Sequence, residues 1–161
     1  MVLNPFRSRS STPRLDSLRA LSLFVDLAPA ELAIIDGLLH ERDYLKDEVV
    51  FDQGEDGQAI YIVLDGDVLI CRQGEPETGR LAVLRPGTFF GDVALLDDSP
   101  RTAQARAAAN CRLAVFFRAD FLGLMETHAV IASKISLQLA RHMGQRLRDT
   151  VRGAPATHQH L

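Results

Sequence analysis

The sequence predicts a mainly-β fold with flanking helices, built as an antiparallel sandwich or barrel. Three observations predict it. Short apolar runs recur roughly every ten residues between Tyr44 and Phe117, with Gly, Asp and Pro between them. No stretch between those runs is long enough for the helix of a parallel crossover. Helical spacing appears only before and after this region.

The 161 residues fit one domain, and a hydrophobic content of 47% suffices for its core. Residues 1–14 (MVLNPFRSRSSTPR) are basic and Ser-rich, the composition of a disordered tail. They lack the apolar stretch of a secretory signal. A short helical stretch follows, opening the domain expected over residues 15–149. Pro29–His40 then shows helical spacing, with Leu32, Ile35 and Leu39 on one face and Pro29 suited to the first turn.

From about Tyr44 the period shortens. The apolar runs Glu48–Phe51, Ala59–Leu64, Val68–Cys71, Leu81–Leu84, Thr102–Ala107 and Arg112–Phe117 read as strands. Ala59–Leu64 (AIYIVL) is apolar on both faces, which predicts a central strand buried on both sides. After Arg118 the helical period returns: Ala119–Thr127 reads as a short helix and Ala129–Asp149 as a longer one. The longer helix carries Ile131, Ile135, Leu139, Met143 and Leu147 at four-residue steps. Leu137 sits off that stripe, which predicts two apolar contacts, one to the domain and one to a partner helix. The end, 150–161, reads as a second disordered tail.

Composition excludes several classes. Lys+Arg 18 against Asp+Glu 21 gives a net charge of −3, which argues against a protein that coats nucleic acid or anionic membrane. No run approaches the roughly 18 apolar residues of a membrane span. Two cysteines, Cys71 and Cys111, are too few for a disulfide framework or a four-Cys zinc site, and read as core fillers of a reduced, cytoplasmic protein. None of the five histidines lies in an expected strand, and the one His-x-His pair, His158 and His160, is in the tail. A metal-dependent enzyme on this scaffold is therefore not expected. Nor is a Ser-His-Asp hydrolase.

The segment richest in chemistry is Arg85–Ala107 (RPGTFFGDVALLDDSPRTAQARA). A short apolar turn of helix directly after Gly91 offers unpaired N–H groups at its start, which suits an anion. Gly91 admits a ligand close to the backbone. Ten residues further on, Pro100-Arg101-Thr102 supplies a guanidinium, whose paired donors match phosphate oxygens, and a hydroxyl.

The string FFGDVALLDDSPRTA resembles the phosphate-binding cassette of cyclic-nucleotide-binding domains, whose pattern runs Phe-Gly-Glu-x-Ala-Leu and then Pro-Arg-Ser/Thr-Ala. Gly54, Gly66, Gly87 and Gly91, the stretch YIVLDGDV and the helix ending QLARHMGQRLR also match, so the resemblance runs from about Leu21 to Arg148. It implies an antiparallel β-roll, jelly-roll-like, with an N-terminal helix and two C-terminal helices, that binds cyclic AMP or cyclic GMP. The residues it assigns to the nucleotide are Arg101 and Thr102 at the phosphate and the backbone of Gly91, Asp92, Val93 and Ala94. The family's usual Glu, which accepts the ribose 2′-hydroxyl, is Asp92 here, one methylene shorter. A lost charge-assisted hydrogen bond would cost about 1.5–3 kcal/mol, roughly ten- to a hundredfold in affinity. Arg146 on the last helix is the candidate lid over the base, since Arg stacks on purine faces.

Plainer readings stand beside these. Arg101 could pair with Asp97 or Asp98, Asp92 could only cap its own turn, and Arg141, His142, Arg146, Arg148 and Arg152 could form a solvated face. The functional expectation is a non-enzymatic, cytoplasmic sensor module without a DNA-binding domain or a membrane segment. It would signal to an unidentified downstream protein through movement of its C-terminal helix, with a homodimer through that helix. The alternative is a degenerate scaffold for protein interaction that binds no nucleotide, or a different one such as cyclic di-GMP.

Overall fold

A computed structural model describes residues 13–153. Of the expected tails, 1–14 and 150–161, residues 1–12 and 154–161 lie outside the described residues, as does the His158/His160 pair, whereas Pro13 and Arg14 belong to the first helix and Thr150 and Val151 to the last. Helix α1 (Pro13–Arg19), a 3-10 turn at Ser22–Phe24 and α2 (Pro29–Leu38) precede the strands. Pro29 opens α2 as the sequence predicts, and the Glu31 carboxylate accepts the Ala28 N–H at 2.8 Å to close its first turn.

Eight strands follow: β1 (His40–Tyr44), β2 (Val49–Phe51), β3 (Ala59–Asp65), β4 (Val68–Arg72), β5 (Glu75–Leu84), β6 (Phe89–Phe90), β7 (Gln104–Ala107) and β8 (Cys111–Phe117). They form two four-stranded antiparallel sheets, ordered β1-β8-β3-β6 and β2-β7-β4-β5. The predicted β-roll is thus observed. Two helices, α3 (Arg118–Thr127) and α4 (Ala129–Val151), complete the chain. Each of these two helices runs slightly further than its sequence spacing marks.

The central-strand prediction for Ala59–Leu64 holds, and its cause is visible. β3 lies between β8 and β6, with Tyr61 opposite Val115 on one side and Phe90 on the other. Its side chains alternate between two cores. Ile60 and Ile62 face the helices, packing with Leu18, Phe24, Phe121 and Ile135. Ala59, Tyr61 and Val63 face the second sheet, with Val68, Ile70 and Leu84. The adjacent Phe89 and Phe90 do the same: both are fully buried, one in each core.

Four strands were not predicted or have other bounds, among them β6, a two-residue strand formed by pairing Phe89 and Phe90 with β3. β1 (HERDY) carries no buried residue and exists through its ladder with β8. β5 starts at Glu75 rather than Leu81, because its polar first half completes a hairpin with β4 through two register shifts. β7 begins at Gln104, two residues later than expected, since Arg101 and Thr102 belong to the loop that forms the site.

α4 sorts its residues into three stripes. Ile131, Ile135 and Leu139 are buried against the helix-side core, as predicted. Leu147, assigned to the same stripe by its spacing, is 66% exposed, because the core ends at Leu139. A second stripe, Lys134, Gln138, His142 and Arg146, is polar and straps the helix to the rest of the domain. Lys134 pairs with Glu31 at 2.6 Å, Gln138 donates to Asp26, and His142 Nε2 lies 2.8 Å from the Ser22 hydroxyl. Leu137, 49% exposed, lies on a third, outward stripe.

Candidate phosphate-binding site

Between β6 and β7 the chain makes a tight turn. Gly91 adopts φ +75°, a left-handed conformation that side chains disfavour, and this sends the backbone into a 3-10 turn over Asp92–Leu95. The Ala94 N–H donates back to the Gly91 carbonyl at 3.2 Å, whereas those of Asp92 and Val93 donate to no backbone carbonyl among the described residues. One turn residue expected as a donor is thus engaged within the turn itself. The two at its start are free to face a ligand. Gly54, Gly66 and Gly87 also take positive φ, as their place in turns demands.

Arg101 is held from both sides. Its backbone N–H donates to Glu55 O at 2.7 Å and its carbonyl accepts from Gly54 N–H at 2.8 Å, so the loop after β2 clasps it. Its guanidinium donates from Nη2 to Ala59 O at 2.7 Å and from Nη1 to Gly91 O at 3.3 Å. The planar group lies over the Phe51 ring at 4.1 Å and near that of Tyr61 at 5.7 Å. Arg101 is 9% exposed, and burial pulls its pKa down from the ordinary arginine value. It stays a cation nonetheless.

The plainer reading of Arg101 is overturned. Among the described residues no carboxylate makes an ion pair with it. Arg118 takes the acids instead, pairing with Asp98 and donating to the Asp97 carbonyl at 2.8 Å. A buried cation without an anionic partner is costly to maintain.

All the residues picked from the sequence line one cavity of about 190 Å³: Gly91, Asp92, Val93, Ala94, Arg101, Thr102 and Arg146. Thr102 is exposed at its mouth. Phe51 and Ile70, from β2 and β4, form an apolar wall that the sequence did not reveal, because nothing in their spacing marks them as neighbours of Arg101. The charged side chains lining the cavity are two arginines and one aspartate, leaving one net positive charge. That balance suits a monoanion such as a phosphodiester. Among the described residues no group of His, Cys, Asp and Glu is placed to hold a metal ion.

Asp92 is 1% exposed, and its carboxylate meets Arg146 Nη1 at 3.2 Å and 3.3 Å. It therefore does more than cap its own turn. Arg146, expected as a lid over the base, binds the acidic residue of the cassette in this structure. His142, one turn earlier on α4, packs edge-on against Phe89 at 5.1 Å, and burial lowers its pKa. The basic residues of this helix are thus not one solvated face: His142 and Arg146 turn inward, the exposed Arg141 pairs with Asp26 at 3.7 Å, and Arg148 bonds to Gln145 within the helix. Cys71 and Cys111 are buried free thiols whose pKa values burial raises, in keeping with core fillers.

A β-roll with a buried, uncompensated arginine on the wall of a cavity is the architecture of a small-anion-binding domain. Comparison with known proteins names the class. A sequence profile of the cyclic nucleotide-binding domain family matches residues 41–128, and the chain belongs to that family. It is 35% identical over 129 residues to the cyclic AMP receptor protein of Thermus thermophilus, covering 78% of this chain and 59% of that protein. It is 33% identical over 127 residues to a cAMP-dependent protein kinase regulatory subunit of Mycosarcoma maydis, covering 70% of this chain and 24% of that protein. The crystal structure of Thermus thermophilus catabolite activator protein superimposes with a TM-score of 0.71 at 33% identity, over 82% of this chain and 61% of that one. The chain thus spans less than two thirds of the length of these relatives. No helix of the described residues is long and apolar enough to cross a membrane.

Proposed function

We propose that this chain is a cyclic-nucleotide sensor module, taking cyclic AMP or cyclic GMP in the cavity beside Arg101. The observation that carries the proposal is the Arg101 guanidinium. It is buried and pre-oriented, makes no ion pair with a carboxylate among the described residues, and lines the same cavity as Asp92 and Val93, whose N–H groups donate to no backbone carbonyl of those residues. The phosphodiester would sit between these donors, with Thr102 beside it. The names of the receptor protein and kinase subunit among the relatives support cyclic AMP first. No residue set for bond-breaking chemistry enters this reading, so the module acts by binding and not as an enzyme.

The signal would leave through α4. Its outward stripe is Val130, Ser133, Leu137, Ala140, Gly144, Leu147 and Val151, at alternating steps of three and four. Val130, Leu137, Leu147 and Val151 are 63%, 49%, 66% and 78% exposed. That is a heptad seam with small residues between its apolar ones, suited to a second copy of the same helix. The protein is expected to elute as a dimer in size-exclusion chromatography with light scattering, and Leu137→Glu with Leu147→Glu as a monomer. A monomeric wild type would end the dimer reading. The downstream partner would then read the position or spacing of these helices.

The test of the ligand is thermal unfolding with millimolar cyclic AMP, cyclic GMP or cyclic di-GMP. Ligand at a hundred times its Kd adds about 2.7 kcal/mol, a rise of several degrees for a domain of this size. A rise with cyclic AMP or cyclic GMP supports the sensor. A rise with cyclic di-GMP alone, or with none, favours the scaffold reading, for which the engagement of Asp92 by Arg146 is the specific observation.

A further inference from the structure

The distal part of α4 is fastened to the domain in an unusual way. The apolar packing of the helix ends at Leu139. Beyond it, among the described residues, the ties to the body of the domain are an exposed ion pair of Arg141 with Asp26 at 3.7 Å, His142 against Ser22 and Phe89, and Arg146 against Asp92. Among the described residues the later side-chain contacts stay within the helix: Gln145 with Asp149, Arg148 with Gln145, and the Thr150 hydroxyl with Arg146 O. Arg146 is the last point at which α4 touches the ligand cavity, and what it touches is the one carboxylate lining that cavity.

Both oxygens of that carboxylate lie against a single guanidinium nitrogen, and Asp92 is almost fully covered. Arg146 itself is one third exposed and borders the cavity. A ligand hydroxyl that reaches Asp92 must therefore share or displace Arg146. We infer that Arg146 is an internal competitor for the sugar hydroxyl of the ligand, so that it both sets how strongly the site selects ribose and latches the end of α4 to the cassette. The inference rests on the proposed nucleotide reading for its first half and stands without a ligand for its second. Engaging Asp92 by a ribose 2′-hydroxyl frees Arg146 and with it the helix beyond His142. A ligand without that hydroxyl occupies the cavity and leaves the latch closed. This is differential binding to two helix arrangements, the requirement for a ligand to shift their populations.

Two measurements on the intact chain test it. The first is calorimetric titration of the wild type and Arg146→Met with cyclic AMP and 2′-deoxy cyclic AMP. Removing the competitor should tighten cyclic AMP about tenfold, leave the deoxy analogue within about twofold, and so raise ribose selectivity by roughly fivefold or more. Equal affinities in both proteins, or weaker binding of both nucleotides by the variant, would overturn the competitor role. The second is amide hydrogen exchange over residues 140–151 without nucleotide, for the wild type, Arg146→Met, Asp92→Asn and the double variant. Each single variant should speed exchange several-fold, and the double variant no more than either. Exchange at the wild-type rate in both single variants would overturn the latch. If no protein in the set binds either nucleotide, the sensor reading fails with the competitor role, and the exchange experiment still decides the latch.

Discussion

Arg101→Ala is expected to abolish the stabilisation that cyclic nucleotide confers, weakening binding at least a hundredfold. A phosphate held by two charge-assisted hydrogen bonds from one guanidinium gains about 3–6 kcal/mol from them, and alanine supplies neither. The effect should be large because the surrounding fold has already oriented the group. Ala59 O and Gly91 O hold two of its nitrogens and the Phe51 ring lies beneath it. Those contacts complicate the measurement in one respect. Removing the side chain takes one donor from each of two carbonyls, Gly91 O keeping the Ala94 N–H, so the ligand-free variant should itself lose about 1–3 kcal/mol. The diagnostic quantity is therefore the rise in midpoint on adding nucleotide, measured within each protein. A rise in Arg101→Ala equal to that of the wild type would remove Arg101 from the site.

Gly91→Ala should have the second-largest effect, and Gly87→Ala separates its causes. Both glycines hold positive φ, +75° and +86°, so an alanine at either costs about 1–2 kcal/mol of backbone strain. They differ in their surroundings. A Cβ on Gly91 would come within 2.5 Å of Arg101 Nη1, whereas one on Gly87 meets nothing within 4 Å. Both variants should thus unfold at lower denaturant than the wild type. Only Gly91→Ala should also weaken nucleotide binding, by about tenfold or more, because the guanidinium must move to make room. Equal affinities of the two variants would show that the turn, and not the placement of Arg101, governs the site.

These two positions were legible in the sequence for a physical reason. The cassette packs its chemistry into a short segment: a glycine that permits the turn, the N–H groups that follow it, and an arginine ten residues later. Each of those needs a particular residue type, so the pattern survives in one dimension. The strands that bury both faces were legible for the same reason. In β3 every residue from Ala59 to Val63 is buried, and an unbroken apolar run records it.

What was not legible depends on partners distant in the chain. β1 is polar but for Tyr44, which packs half-buried on the inter-sheet core, and the β8 ladder makes it a strand. Phe51 reads as an ordinary core residue until the fold places its ring under Arg101. α4 showed its apolar stripe, but its polar stripe is recognisable only once Glu31, Asp26, Ser22 and Asp92 lie opposite Lys134, Gln138, His142 and Arg146. Leu147 continues the four-residue spacing of Ile131 to Leu139 and yet faces outward, since the core it would have joined has ended. Sequence spacing describes a helix face. It does not say how far along the helix that face remains covered.

The central claim is that a cyclic phosphodiester binds between Arg101 and the turn that begins at Gly91. An amide and arginine side-chain NMR titration of the isotopically labelled chain with cyclic AMP tests it most directly, because it reports where binding occurs as well as whether it does. The account predicts saturable shifts that are largest at the backbone N–H groups of Gly91, Asp92 and Val93, at Thr102 and at the Arg101 Nε–H. Shifts that do not saturate at millimolar nucleotide, or that saturate elsewhere on the domain, would contradict it.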